Sequence, residues 1–212
     1  MSNISTTKLS KLAGATASFR LGASDRGFLA DLSKVRIIDL EDANKWHYSD
    51  RKAGAKKRLD NLVKAGLLNA REIIQPGKGK VRTYEFSNDR VAKAFGGAKP
   101  VIGAKRSALH EVITSKIYFA EGRPVTFKIA SDFTKTDIRN FKLAVGGDAV
   151  IPDAMYTDAS NDIVLVEADS GNYTKSQILE KQSAWSGVKQ VWGQPNKASA
   201  RIGGNTNVYR FA

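Results

Sequence analysis

The chain has 212 residues, a length at which typical domain sizes favour two small domains over one large one. It carries 34 lysines and arginines against 21 acidic residues, a net charge of +13, and a surplus of that size favours a polyanionic partner such as nucleic acid. The sequence has no cysteine, which excludes disulfides and thiolate zinc sites and fits a reducing cytoplasm, and it has no apolar run near the roughly 20 residues of a membrane span, so we expect no membrane partner.

Composition divides the chain into four segments. Residues 1–24 read as a flexible basic arm, because they contain Lys8, Lys11 and Arg20 and no acid. Glycines and a proline between residues 96 and 104 indicate a linker. The segments 25–95 and 105–212 on either side are therefore the expected domains. Most of the positive charge, a net +9, falls within residues 1–97.

Three helices are predicted in the first domain. Phe28, Leu29 and Leu32 share one helical face, and the second helix covers residues 40–46 behind the acidic Asp39. The third helix can be capped by Asp50 and ends at Gly66. Its apolar stripe is formed by Ala55, Leu59, Leu62 and Val63.

A β-hairpin follows the third helix. Residues 70–75 and 81–86 are rich in β-branched and aromatic side chains, and the glycine-containing stretch 76–80 between them is typical of a turn. The order of three helices and a hairpin is that of a winged helix-turn-helix module. Over residues 26–90, and most clearly over 58–68, the sequence resembles winged-helix regulators, and that resemblance would allow a homodimer.

Basic residues are concentrated on the third helix and the hairpin. Residues 51–82 contain 10 basic side chains and 2 acidic ones. A helix fits the major groove of double-stranded DNA, and a basic hairpin tip can contact neighbouring phosphates. The expected DNA contacts are Arg51, Lys52, Lys56, Lys57, Arg58, Lys64, Lys78, Lys80 and Arg82. The alternative is a solvated basic helix that supports a partner domain.

The second domain is predicted to be α/β, with helices around a mixed sheet. Helices are expected over residues 106–119 and 172–185, with a less certain short helix over 132–141. Strands are expected over 125–130, 149–156, 163–168, 188–192 and 207–211. Ile163 to Val166 is continuously apolar, which is typical of a strand covered on both faces.

Two carboxylates in this domain are spaced for a shared site. Asp153 follows a proline, and Glu167 ends the apolar strand, so a hairpin can bring both to one edge of adjacent strands. Two carboxylates there can hold Mg²⁺ or Mn²⁺, and a nearby lysine, Lys181, can stabilise charge on a phosphate. Asp169, two residues after Glu167, can add a third carboxylate ligand.

Residues 106–192 resemble the PD-(D/E)XK nuclease superfamily. The resemblance is carried by Pro152-Asp153, a short strand, Glu167 and a downstream lysine, and it implies catalytic roles for Asp153, Glu167, Lys181 and Glu111. At the position where this superfamily usually has its lysine, two residues after the glutamate, the chain has Asp169. Some members place the lysine on the following helix instead, and Lys181 corresponds to that lysine. Together with the winged helix and His110, the arrangement is similar to replication-relaxation proteins of plasmids and mobile elements.

These observations leave three functions open. The first is a Mg²⁺- or Mn²⁺-dependent DNA endonuclease directed by its winged helix. The second is a non-catalytic regulator of replication, copy number or transcription, in which Asp153 starts a turn and Glu167 is a polar strand end of a degenerate nuclease fold. The third is an interaction protein whose basic surface binds an acidic partner.

Overall fold

The computed structural model describes residues 20–49, 52–97, 108–196, 202–203 and 206–211. Within these ranges the protein is mixed α/β, the predicted class, and it has seven α-helices and two β-sheets. It falls into two compact units, residues 1–73 with 80–105 and residues 74–79 with 106–212. Most of the predicted basic arm, the linker positions 98–104, and Asp50 and Arg51 lie outside the described residues.

The helices of the first unit follow from its apolar spacing. They are α1 (Ala23–Val35), α2 (Leu40–His47), α3 (Lys52–Lys64) and α4 (Asp89–Ala94). Phe28, Leu29 and Leu32 of α1 are fully buried, so the predicted face is the one that packs. The Asp39 carboxylate caps α2 by accepting a hydrogen bond from the Asp42 amide at 2.8 Å.

A three-stranded sheet completes the first unit, apart from residues 74–79 at the tip of its hairpin, which belong to the second unit. Its strands are β1 (Ile37–Asp39), β2 (Leu68–Gln75) and β3 (Gly79–Phe86), in the order β1-β3-β2. Gly77 and Gly79 in the turn have positive φ angles of 89° and 82°, a backbone conformation that favours glycine. The predicted hairpin is confirmed, whereas β1 and α4 were not predicted.

The second unit is built on a five-stranded sheet. Its elements are α5 (Ala108–Ala120), β4 (Lys128–Ile129), a 3-10 turn (Ala130–Asp132), α6 (Lys135–Val145), β5 (Ala154–Thr157), β6 (Ile163–Ala168), α7 (Lys175–Ala184), β7 (Lys189–Pro195) and β8 (Asn207–Phe211). The order is β4-β5-β6-β7-β8; β4, β5 and β6 pair antiparallel, whereas β7 is parallel to β6 and β8. The apolar strand β6, which was predicted to be covered on both faces, lies at the centre of the sheet.

Both faces of this sheet are covered. On one face, Phe141 of α6, Ile178 of α7 and Trp185 pack with Leu165 in a buried core. On the other face α5 approaches so closely that a Cβ added at Gly193 of β7 would lie 2.6 to 2.9 Å from the side chains of α5. This burial explains why β6 carries apolar side chains in both directions.

Two predicted elements of the second unit have different bounds. The strand expected over 125–130 is only two residues long, and Val125 is 87% exposed in the turn before it. The uncertain helix over 132–141 is a full helix, α6, whose capping box joins Thr134 and Asp137. None of the helices in the described ranges combines the length and the apolar character needed to cross a membrane.

Candidate functional site

The third helix presents a basic face away from its packed side. Ala55, Leu59 and Leu62 are fully buried, whereas Lys56 and Lys57 between them are exposed. Lys64 of the helix and Lys80 of the hairpin are also exposed. We call these four lysines of the first unit the basic face. Lys78 is exposed as well, but it lies at the hairpin tip, which belongs to the second unit. Lys56 pairs with Asp60 one helical turn away at 2.8 Å, but it remains half exposed.

Arg58, which was expected from the sequence to contact DNA, forms hydrogen bonds within the first unit. Its Nε and Nη2 atoms donate to the two carboxylate oxygens of Asp25 at 2.9 and 2.5 Å, and Nη2 also donates to the backbone oxygen of Arg20. Asp25 is 2% exposed and accepts a further bond from the Tyr48 hydroxyl. The pair ties α3 to α1, so the charge of Arg58 is compensated inside the unit.

Arg82 is also engaged by neighbouring side chains. Its Nη2 atom donates to Asp60 at 2.6 Å and its Nε atom to the Tyr84 hydroxyl at 3.0 Å. This pairing links β3 to α3 and partly neutralises the arginine. Of the other expected contacts, Arg51 lies outside the described residues, and the side chain of Lys52 is not described. Lys80 is 77% exposed and lies 3.7 Å from the half-exposed Glu72, a pairing that costs little to break.

In the second unit the structure brings Asp153 and Glu167 together. Asp153 immediately precedes β5, and the pairing of Ala154 with Val166 places it beside Glu167 of β6. One oxygen of Asp153, Oδ2, accepts the Ala168 amide at 2.9 Å and contacts Nε2 of His110 on α5 at 2.8 Å. The carboxylate of Asp153 is therefore held by the neighbouring strand and by α5.

Glu167 is fully buried and shares one of its oxygens with two donors. Its Oε1 atom accepts the Tyr173 hydroxyl at 2.6 Å and forms an ion pair with Lys181 of α7. Nζ of Lys181 also donates to the Tyr173 hydroxyl at 3.0 Å and lies over the Trp185 ring. The other oxygen, Oε2, is buried and has no hydrogen-bond partner among the described residues. An unpaired buried carboxylate oxygen is costly, so it calls for a proton, a water or a cation.

The two carboxyl groups have pKa values shifted in opposite directions. Burial and the neighbouring charge of Asp153 raise the pKa of Glu167 to about 7, against the opposing effects of Lys181 and Tyr173. Burial also acts to raise the pKa of Asp153, but the bonds from His110 and the Ala168 amide outweigh it and hold that pKa below its usual range. Glu167 therefore takes up a proton more readily than Asp153, an asymmetry typical of acid–base sites.

We expect the stability of the second unit to fall as pH rises through 7. Because the folded state raises the pKa of Glu167, the stabilisation is complete below the unfolded value and is lost as Glu167 ionises. The free energy of unfolding should drop by up to about 3 kcal/mol between pH 5 and pH 8. Glu167→Gln removes this titration, so the difference between wild type and variant, measured by urea unfolding, should change with pH. A difference that stays constant from pH 5 to pH 8 would contradict the shift.

The expectation that Asp169 supplies a third metal ligand is corrected. Its Oδ1 atom accepts hydrogen bonds from three backbone amides of the loop after β6, those of Gly171, Asn172 and Tyr173. Its Oδ2 atom accepts a hydrogen bond from the side-chain amide of Gln194 at 2.8 Å. Asp169 thus shapes the loop that carries Tyr173. Over the described ranges, no group of three or more His, Cys, Asp or Glu side chains is close enough to hold a metal ion.

On α5, His110 is the residue that contacts Asp153, and Glu111 follows it. Glu111 is 2% exposed, so the acid expected from the resemblance is buried in the unit. Sequence reasoning missed Tyr173 altogether, and it quoted His110 without a role. Tyr173 lies between Glu167 and Lys181 in the chain, and that position is the one signal that could have drawn attention to it.

Comparisons of the chain with models of known protein families, with curated proteins and with solved structures gave no match. The basic face and the Asp153–Glu167 pair are therefore the features of the molecule that indicate a function.

Proposed function

We propose that the protein binds double-stranded DNA through α3 and the hairpin of its first unit. The observation that carries this proposal is that one side of α3 packs inside the unit while the other side is exposed and basic. Leu59 and Leu62 bury one side and Arg58 ties the helix to α1, while the lysines on the other side stay exposed. A helix fixed in this way can enter the major groove as a rigid body, with cations available for phosphates and base edges.

The arrangement of the first unit supports a winged-helix interpretation. Three helices precede the β2–β3 hairpin, and Lys80 is exposed on the part of the hairpin that belongs to this unit. In such modules the third helix occupies the groove and the hairpin reaches the flanking backbone. With the resemblance to replication-relaxation proteins, this supports a role in DNA transactions of a plasmid or mobile element.

Removal of two exposed charges from α3 tests the proposal. Lys57→Ala/Lys64→Ala should weaken binding to a fluorescent DNA duplex about tenfold near physiological salt, because each lysine neutralises one phosphate. Fluorescence anisotropy on the full chain measures the affinity. The matched control is Arg90→Ala/Lys93→Ala, which removes two exposed charges from α4. Equal losses in the two double variants would show non-specific attraction and contradict an interface on α3.

A second candidate function is metal-dependent hydrolysis of DNA by the second unit. It is favoured by the buried Oε2 atom of Glu167, which has no hydrogen-bond partner among the described residues and lies beside ionised Asp153. The oxygen ligands of Asp153 and Glu167 fit Mg²⁺ or Mn²⁺, which is commonly held by one or two carboxylates together with waters and phosphate oxygens. A cation held there would supply activation of water and neutralisation of charge on the scissile phosphate.

The protein's own side chains would complete that site. Lys181, held by Glu167 and Tyr173, would supply positive charge for a phosphate oxygen, and His110 would fix the orientation of Asp153. The same contacts also fit a degenerate site, in which Lys181 already neutralises Glu167 and the second unit is a scaffold. In that case the protein is a non-catalytic DNA-binding regulator, and cleavage assays separate the two readings.

A further inference from the structure

A row of cations lies on the exposed side of α6. Phe141 is the one buried residue of this helix, packing into the core beside Trp185. Lys135, Arg139 and Lys142 occur at positions i, i+4 and i+7, so they share one face, and all three are exposed. We call these three residues the α6 stripe. Leu143 beside it is 70% exposed, and the stripe borders a groove of about 670 Å³ that continues along Gly146 and Gly147.

The stripe keeps most of its positive charge. Asp137, the acid within α6, is occupied by Lys128 at 2.8 Å and by the cap of the helix at Thr134. Lys142 forms an ion pair with Asp148, which is exposed, and such a pair contributes little. Across the described part of the chain, Lys135 and Arg139 have no ion-pair partner. The stripe is therefore a row of available cations, and the acids around it do not cancel it.

The segment that carries the stripe is anchored beside the Asp153–Glu167 pair. Before α6, the Ala130 amide donates to the backbone oxygen of Asp153 at 2.8 Å. After α6, the chain returns to Asp153 through Val150, whose backbone oxygen accepts the indole N–H of Trp185 at 2.9 Å. Both ends of this segment are thus fixed next to the candidate site.

We propose that the α6 stripe binds the sugar–phosphate backbone of DNA at the second unit. This inference rests on the proposed DNA-binding function and adds a second contact surface to it. Seven residues of helix extend about 10 Å, enough to face two or three successive phosphates of one strand. Lys135 and Arg139 supply positive charge for phosphates and are not arranged to hydrogen-bond with base edges. The stripe therefore binds a strand without recognising its sequence. Its place beside Asp153 suits a strand presented to that site.

The test is the salt dependence of DNA binding by the full chain. Lys135→Gln/Arg139→Gln should lower the magnitude of the slope of log K against log salt concentration by about two, since each lost phosphate contact removes about 0.9. The matched control is Arg123→Gln/Lys189→Gln. It removes the same charge at the end of the sheet where Lys189 pairs with Asp158 of the β5–β6 turn, and it should leave the slope close to that of wild type.

If the α6 variant had the same salt slope as the control variant, the inference would be overturned. The stripe would then be a candidate surface for an acidic protein partner. The same titration on Lys57→Ala/Lys64→Ala separates this failure from failure of the proposed function. If the salt slope becomes smaller in the α3 variant and not in the α6 variant, DNA binding through α3 is supported and the α6 stripe does not contact DNA. If the salt slope becomes smaller in the α6 variant alone, the stripe contacts DNA and the interface on α3 is contradicted. A wild-type chain without salt-dependent DNA binding would overturn both.

Discussion

Replacement of Arg58 by alanine is expected to destabilise the first unit by about 3 to 5 kcal/mol, the cost of removing one partner of a buried ion pair. Asp25, 2% exposed, would lose both guanidinium bonds and, among the described residues, would keep those from the Tyr48 hydroxyl and the Gly22 amide. Because the Arg58 side chain is one-third exposed, we expect the lower end of that range. Urea unfolding of the full chain, followed by circular dichroism, measures the change.

The neighbouring residue provides the control for this prediction. Lys57→Ala removes the same charge from an exposed position, so it should change stability by no more than about 0.5 kcal/mol while weakening DNA binding. In Asp25→Asn/Arg58→Ala the unpaired buried charge is absent, and part of the stability should return. If Arg58→Ala were as stable as Lys57→Ala, Arg58 would not stabilise the first unit. It would then again be a candidate DNA contact.

For the second unit, the largest expected effect is on DNA cleavage. If the carboxylate pair is catalytic, wild-type protein should nick supercoiled plasmid DNA with Mg²⁺ or Mn²⁺, and Lys181→Ala should slow nicking by about 100-fold or more. Asp153→Asn should lose both cleavage and the binding of Mn²⁺ measured by calorimetry. Lys175→Ala removes an exposed charge from the same helix and should leave the rate unchanged.

The outcomes of this assay divide the proposed functions. Binding of Mn²⁺ without nicking would identify a degenerate site that still holds a cation. Neither binding nor nicking by the wild-type chain would contradict the enzymatic proposal. The Lys181–Glu167 ion pair would then be structural, and DNA binding by the first unit would be the function that the geometry supports.

Periodicity predicted the elements whose burial is strong and continuous. The apolar stripe of α3 was visible because every third to fourth side chain meets the core, and the apolar run of β6 was visible because its successive side chains after Ile163 are all buried. β1, three residues long, was missed because its strand state depends on pairing with β3. The helix α4 begins at the cap provided by Asn88, and it is too short to show a periodic pattern.

The candidate site shows the same limit. Adjacency of Asp153 and Glu167 follows from the length of the hairpin between them, which is local information. The contact of His110 with Asp153 joins residues 43 positions apart, and the pairing of Arg58 with Asp25 joins residues 33 positions apart. Charge counting could not distinguish Arg58, which is paired, from Lys57, which is exposed.

The most direct test of DNA binding by the basic face is the salt dependence of the wild-type chain. If Lys56, Lys57, Lys64 and Lys80 each neutralise a phosphate, log K should fall linearly with log salt concentration with a slope of about −3.5 or steeper. The measurement is a fluorescence anisotropy titration of duplex DNA at several salt concentrations. We expect the steep slope; affinity that does not change with salt, or no binding at low salt, would contradict the account.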